Sequence, residues 1–125
     1  MTTLFGPDRG STFTVSSVQH DDAIVVHIGG ELDLRSVPIL REHLRRLWGR
    51  SGLTAVIMDM ADLSFCDSVG LSELIAAMKR SEALRMRFVL SGVHGVLTRV
   101  LNITGLGRTF ETYDTAEEAL RRLTS

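Results

Sequence analysis

The chain is short of cysteine. One residue in 125, Cys66, leaves no internal disulfide to be made and fits a reducing compartment, so the cytoplasm is the expected location. Long hydrophobic runs are missing too. Nothing approaches the roughly 18 apolar residues that span a bilayer, so no membrane insertion is expected. The opening stretch MTTLFGPDRGST carries Asp8 and no apolar centre, so no signal peptide is expected. Charge of one sign is equally scarce. With 14 Lys and Arg against 15 Asp and Glu, the net charge is −1, which gives no field to gather a nucleic acid. Arg41, Arg45, Arg46 and Arg50 do cluster, but glutamate and histidine interrupt them in a helical rhythm, the mark of a solvated helix face. Only 2 prolines are present, and there is no repeat, low-complexity tract or linker. What remains is a globular composition, 44% hydrophobic and 23% charged. It predicts a mobile lead-in over residues 1–11 and a single domain over 12–125.

In chain order, Phe13, Val15 and Val18 mark a first strand. A polar turn at His20, Asp21 and Asp22 leads to AIVVHI at 23–28, and the short connection predicts an antiparallel hairpin. Gly29 and Gly30 are expected to end that strand, with a loop at 31–34. Ser36 is a natural N-cap, Pro38 suits a first helical turn, and Val37, Leu40, Leu44 and Leu47 form a stripe ending near Gly49. AVIM at 55–58 predicts a buried strand, followed by a turn over 60–67. Leu71, Leu74, Ile75 and Met78 then recur at helical spacing. MRFVL at 86–90 is a further strand, stopped by Ser91 and Gly92. Val96, Leu97, Val100 and Leu101 mark a short helix, which Gly105 and Gly107 break. A brief strand at 109–113 precedes the capping-box pattern of Thr115 and Glu118, which opens a last helix with Ala116, Ala119, Leu120 and Leu123 inward. This order predicts an α/β fold: a mixed sheet of about five strands, mostly parallel with one antiparallel edge, and about four helices. Whether helices cover one face or both is left open.

Ligands of such sheets meet the carboxyl ends of the parallel strands. Two loops, 29–35 and 60–70, fall there. If their strands are neighbours, Asp33 and Ser68 share one surface. Ser68 opens a helix, beside unpaired N–H groups and the positive end of the dipole, a place that welcomes a phosphate. A serine at that position could merely cap the helix. Asp67 is itself a good cap, however, which frees Ser68 to point outward. Gly70 weakens the first turn and is read as letting another surface come close.

Other chemistry finds no support. Asp59, Asp62 and Asp67 lack the second acidic pair and the late lysine of a magnesium-dependent receiver, and the sole lysine, Lys79, lies in a helix. His20, His27, His43 and His94 have no ligand-like spacing. The serine motif lacks the G-x-S-x-G elbow, and Gly105 and Gly107 lack the third glycine of a dinucleotide fingerprint. Cys66 reads as packing. No metal, cofactor or catalytic residue is expected, and the chain reads as a non-enzyme.

Three pieces in this order and spacing, G-E-L-D-L at 30–34, D-M-A-D-L-S-F at 59–65 and D-S-V-G-L at 67–71, resemble the STAS domain, specifically the stand-alone bacterial anti-sigma factor antagonists. The likeness covers about 13–123, including E-E-A-L at 117–120. The resemblance implies a partner-switching regulator of transcription that binds an anti-sigma factor and so releases a sigma factor. The partner is commonly a serine kinase of the histidine-kinase-like ATPase fold. Phosphorylation, reversed by a metal-dependent PP2C-type phosphatase, falls on the serine after the motif aspartate, here Ser68. Glu31, Asp33, Leu34, Asp67, Val69, Gly70, Leu71 and Ser72 are the partner-binding residues this implies, in a monomer or weak dimer. Val69 departs from the family, which often has a second hydroxyl residue there. The alternative implied by related domains is an accessory subunit of a lipid-transport ABC complex.

Overall fold

The computed structural model describes the backbone of Thr2–Arg9 and the whole of residues 12–124. Among these residues the chain runs β1 (Thr2–Arg9), β2 (Phe13–His20), β3 (Ala23–Leu32), α1 (Val37–Trp48), β4 (Ala55–Cys66), α2 (Ser68–Ala83), β5 (Arg87–Ser91), α3 (Gly95–Thr104), a 3-10 turn (Leu106–Arg108), β6 (Glu111–Tyr113) and α4 (Ala116–Leu123). All the strands join one sheet, and their spatial order is their chain order. β2 and β3 form the expected hairpin around Asp21 and Asp22, and β3 through β6 are parallel.

Beyond this five-strand mixed sheet with four helices, the structure differs from expectation at the front. Thr2–Arg9, read as part of a mobile lead-in, is a strand paired antiparallel with β2, so β2 is not the edge. Register shifts between Thr3 and Phe5 and between Phe5 and Asp8 interrupt the pairing around Gly6 and Pro7. A proline is tolerated on an edge strand for that reason. The remaining lead-in residues, Met1, Gly10 and Ser11, lie outside the described residues.

Two strands also run further than their sequence suggests. β3 continues through Gly29 and Gly30 to Leu32, and β4 continues past Asp59 to Cys66, where a turn was expected. The pair stays in step through shifts between His27 and Gly29 and between Gly30 and Glu31. Gly30 makes this possible: its φ is 82°, and a Cβ there would sit 1.5 Å from the Thr12 carbonyl oxygen. No other residue fits.

Strand alternation sorts the core into two layers. Ile24, Val26 and Ile28 of β3, Val56, Met58 and Met60 of β4, and Phe88 and Leu90 of β5 form the main core with Leu40, Leu44 and Leu47 of α1, Leu74 and Met78 of α2 and Leu101 of α3. Crossovers of one hand in a sheet of sequential order put α1, α2 and α3 on the same face. On the other face, Val25, Ile57 and Val89 meet Ala119, with Leu120 and Leu123 of α4 packed around them. Both faces are therefore covered. α4 opens as expected, with Thr115 Oγ1 accepting from the Glu118 N–H at 3.1 Å.

Candidate functional site

The carboxyl ends of β3, β4 and β5 carry the loops of interest. Leu32 pairs with Cys66 at the end of the β3–β4 ladder, so the loop after β3 and the start of α2 are neighbours. Asp67 is the N-cap of α2, in extended backbone, and its Oδ1 accepts from the Gly70 N–H at 2.8 Å. Ser68 is the first helical residue and is exposed. Its carbonyl accepts from Ser72 Oγ at 2.9 Å. The first turn of α2 holds no acidic residue. Apart from the Asp67 cap, which takes the Gly70 N–H, no carboxylate of α2 offsets the N–H groups and dipole at its start.

Gly70 does let another surface come close, and that surface lies within the chain. It is buried, and a Cβ there would stand 2.5 Å from the Leu32 carbonyl oxygen and 3.1 Å from Cys66 Sγ. The surface it admits is the chain's own β3, not a partner's.

Asp33 organises its own loop. Its Oδ1 accepts from the N–H groups of Arg35 at 2.9 Å and Ser36 at 3.2 Å, with the Arg35 guanidinium 3.7 Å from Oδ2. Loss of hydration opposes ionisation, but the Ser36 and Arg35 N–H groups and the Arg35 charge outweigh it and hold the carboxyl below its usual range. Ser36, expected to cap α1 with its side chain, instead turns it back: Ser36 Oγ donates to the Glu31 carbonyl at 2.7 Å and accepts from the Asp33 N–H at 2.9 Å. These bonds present Leu34, 70% exposed, at the loop tip.

Of the remaining sequence-assigned residues, Val69 and Ser72 are exposed, and Glu31, Asp67 and Leu71 are half-buried. Phe65 and Val96, which the sequence did not single out as site residues, are 50% and 68% exposed at this same end of the sheet. Cys66 is half-buried, and burial, helped by the Asp67 charge, pushes its thiol up to about 12. That is an unreactive thiol.

A second polar group escaped the sequence altogether. On the α4 face, His27 Nδ1 and Asp59 Oδ2 are 2.8 Å apart across the β3–β4 ladder. The hydrogen bond that His27 donates to Asp59 raises the His27 pKa against the effect of burial, and the same bond holds Asp59 low. Only the strand register, which aligns His27 with Asp59, could have revealed it.

With this geometry in view, the comparisons with known proteins are decisive. The STAS domain model matches residues 14–119. The chain belongs to the STAS domain family. Among relatives of this STAS domain, the anti-sigma-F factor antagonist RsfB of Mycobacterium tuberculosis is 29% identical over 109 residues, covering 87% of this chain and 88% of the relative. The anti-sigma-B factor antagonist of Staphylococcus epidermidis is 33% identical over 92 residues, covering 74% and 84%. Among solved structures, an anti-sigma factor antagonist from Mycobacterium paratuberculosis matches with a TM-score of 0.80 at 29% identity, over 91% of this chain and 96% of that one. The antagonist SpoIIAA, 26% identical over 87% of this chain, matches with TM-scores of 0.74 unphosphorylated and 0.70 phosphorylated, covering 95% and 98% of those chains. The names these relatives carry are those of regulators. Within the described residues of this STAS domain, no helix is long and apolar enough to cross a membrane.

Proposed function

We infer that this STAS domain is an anti-sigma factor antagonist, switched off by phosphorylation of Ser68. The observation that carries the reading is an exposed serine at the first position of α2, with Asp67 already spent as the cap. The naming of its relatives as antagonists, and the existence of SpoIIAA in a phosphorylated form, support it. The unmodified protein binds an anti-sigma factor with serine kinase activity and frees the sigma factor. It acts as the kinase's substrate, not as an enzyme, and a PP2C-type phosphatase restores it.

The switch is electrostatic. Phosphate adds about −1.5 to −2 charges at neutral pH. The N-terminus of α2 accommodates that charge within the monomer, so the fold is kept. A partner pressed against the same turn meets the new charge beside Asp67 and loses contact. A loss of ~3 kcal/mol weakens binding more than a hundredfold, with no large motion. Incubating the chain with the anti-sigma kinase and ATP, then locating the phosphate by mass spectrometry, tests the site. Stoichiometric phosphate on Ser68 is expected, and phosphate on another residue refutes the assignment.

A further inference from the structure

We propose that the partner surface around Ser68 extends onto α3, where a groove receives one bulky apolar side chain of the anti-sigma factor. This rests on the functional reading above. The groove lies between the end of β4 and the first turn of α3. Met60 and Leu63 form its floor, with Phe65 and Cys66 on one wall and Val96 and Leu97 on the other, around a volume of about 160 Å³. An apolar cavity of roughly 150 Å³ holds a benzene molecule, so a leucine- or phenylalanine-sized group fills this one.

Three observations choose the occupant. The lining has no carboxylate, ammonium or guanidinium group, and apart from the Cys66 thiol its one titratable side chain is His94. A charged tip would surrender its hydration there for nothing. The groove is also continuous with the switch, because Phe65 and Cys66 run straight into the Asp67 cap and Ser68. Lastly, large exposed apolar side chains gather here. Among the described residues they are Leu34, Phe65, Val69, Leu84, Val96 and Ile103, and all but Leu84 and Ile103 stand at the carboxyl end of the sheet. A patch of that kind with a polar border marks a protein-binding surface. Asp67, next in the chain after Cys66 of the lining, sets a carboxylate at the Ser68 end of the groove, so a basic residue of the partner belongs beside the apolar one.

The test uses the intact chain and the purified serine-kinase anti-sigma factors of the same cell, titrated by calorimetry. The variants are Val96→Glu and Phe65→Ser, with Ile103→Glu as a control for added charge on an exposed position. All three sites are at least half exposed, and thermal melting verifies that the variants fold. Wild type and Ile103→Glu are expected to bind alike, with Val96→Glu and Phe65→Ser weaker by ~tenfold or more. Amide signals of residues 94–97 should shift in the wild-type complex. Affinity of both groove variants within about twofold of wild type overturns the proposal. So does a wild-type dimer that Val96→Glu turns into a monomer, because the groove then belongs to a second copy. If wild type binds none of the anti-sigma factors, the functional reading itself falls and takes the groove with it. That pattern is distinct from binding that the variants leave intact.

Discussion

The backbone N–H of Asp67 donates to the carbonyl oxygen of Leu32 at 3.2 Å, fastening the cap of α2 to the last residue of β3. The Asp33 loop leaves from that same end of β3. Its position relative to Ser68 is therefore set by main-chain bonding and by the close fit of Gly70, and not by the side chains a partner would read. The Ser68 side chain makes no bond in this frame, so it can be changed without moving the Asp33 loop.

Ser68 is the direct case. Ser68→Ala should bind the anti-sigma partner as wild type does and resist its kinase. Ser68→Asp should stay folded and bind more than ~tenfold more weakly, the cost of placing one buried like charge in an interface. Calorimetric titration and a phosphorylation assay on both variants measure this. Continued stoichiometric phosphorylation of Ser68→Ala on the same peptide would remove the serine from the switch.

Gly70→Ala opposes two effects. Alanine gains about 1 kcal/mol of helix propensity over glycine. Its Cβ, however, meets the Leu32 carbonyl oxygen at 2.5 Å, a backbone atom that cannot step aside. The clash wins: a net loss of ~1–3 kcal/mol is expected from overpacking, read as a lower urea midpoint with an unchanged slope.

Asp33→Ala should release two backbone N–H groups and lose ~1 kcal/mol, a fall of a few degrees in melting temperature. It should also weaken partner binding, because Leu34 is no longer held at the loop tip. Asp33→Asn keeps an acceptor for both N–H groups and should recover most of the stability. If Asn restores stability but not binding, the charge of Asp33 is what the partner reads.

The His27–Asp59 pair gives stability a pH window. His27 has a folded pKa above its ordinary 6.5, so its contribution is complete below 6.5 and is lost as pH rises through the raised value. Asp59 is held below its ordinary 3.8, so its contribution is complete above 3.8 and is lost as pH falls through the lowered value. The carboxylates of Asp62 and Glu117 also favour the charged imidazole. Urea midpoints between pH 5 and 9 should fall more steeply for wild type than for His27→Gln. Parallel curves would show that the pair carries no linkage.

Much of this was legible in the sequence. Periodicity located α1 through Val37, Leu40, Leu44 and Leu47, all buried, and the capping chemistry of Asp67 and Thr115 is as their residue types demand. Strand ends were harder to see. Gly29 and Gly30 read as a stop because local propensity carries no sign of the β4 partner that keeps β3 going to Leu32. Ser36 read as a cap because its side chain has two sets of backbone groups within reach, and only the folded Asp33 turn decides between them. The exposure of Val96 was not legible because an apolar residue in a periodic stretch carries no mark of it. That mark comes from the packing of α3, in which only Leu101 is buried.

Because every strand lies beside the one made just before it, the growing polypeptide never has to wedge a late segment between two finished neighbours. β3 can zip onto β2 as soon as it emerges, then β4 onto β3 once α1 has crossed over. Each addition extends a ladder whose inner rungs are already hydrogen-bonded. α4, which follows all six strands, then packs Ala119 over Val25, Ile57 and Val89 on the remaining bare face. Such a protein can acquire its shape in the sequence of its synthesis, from amino end to carboxyl end.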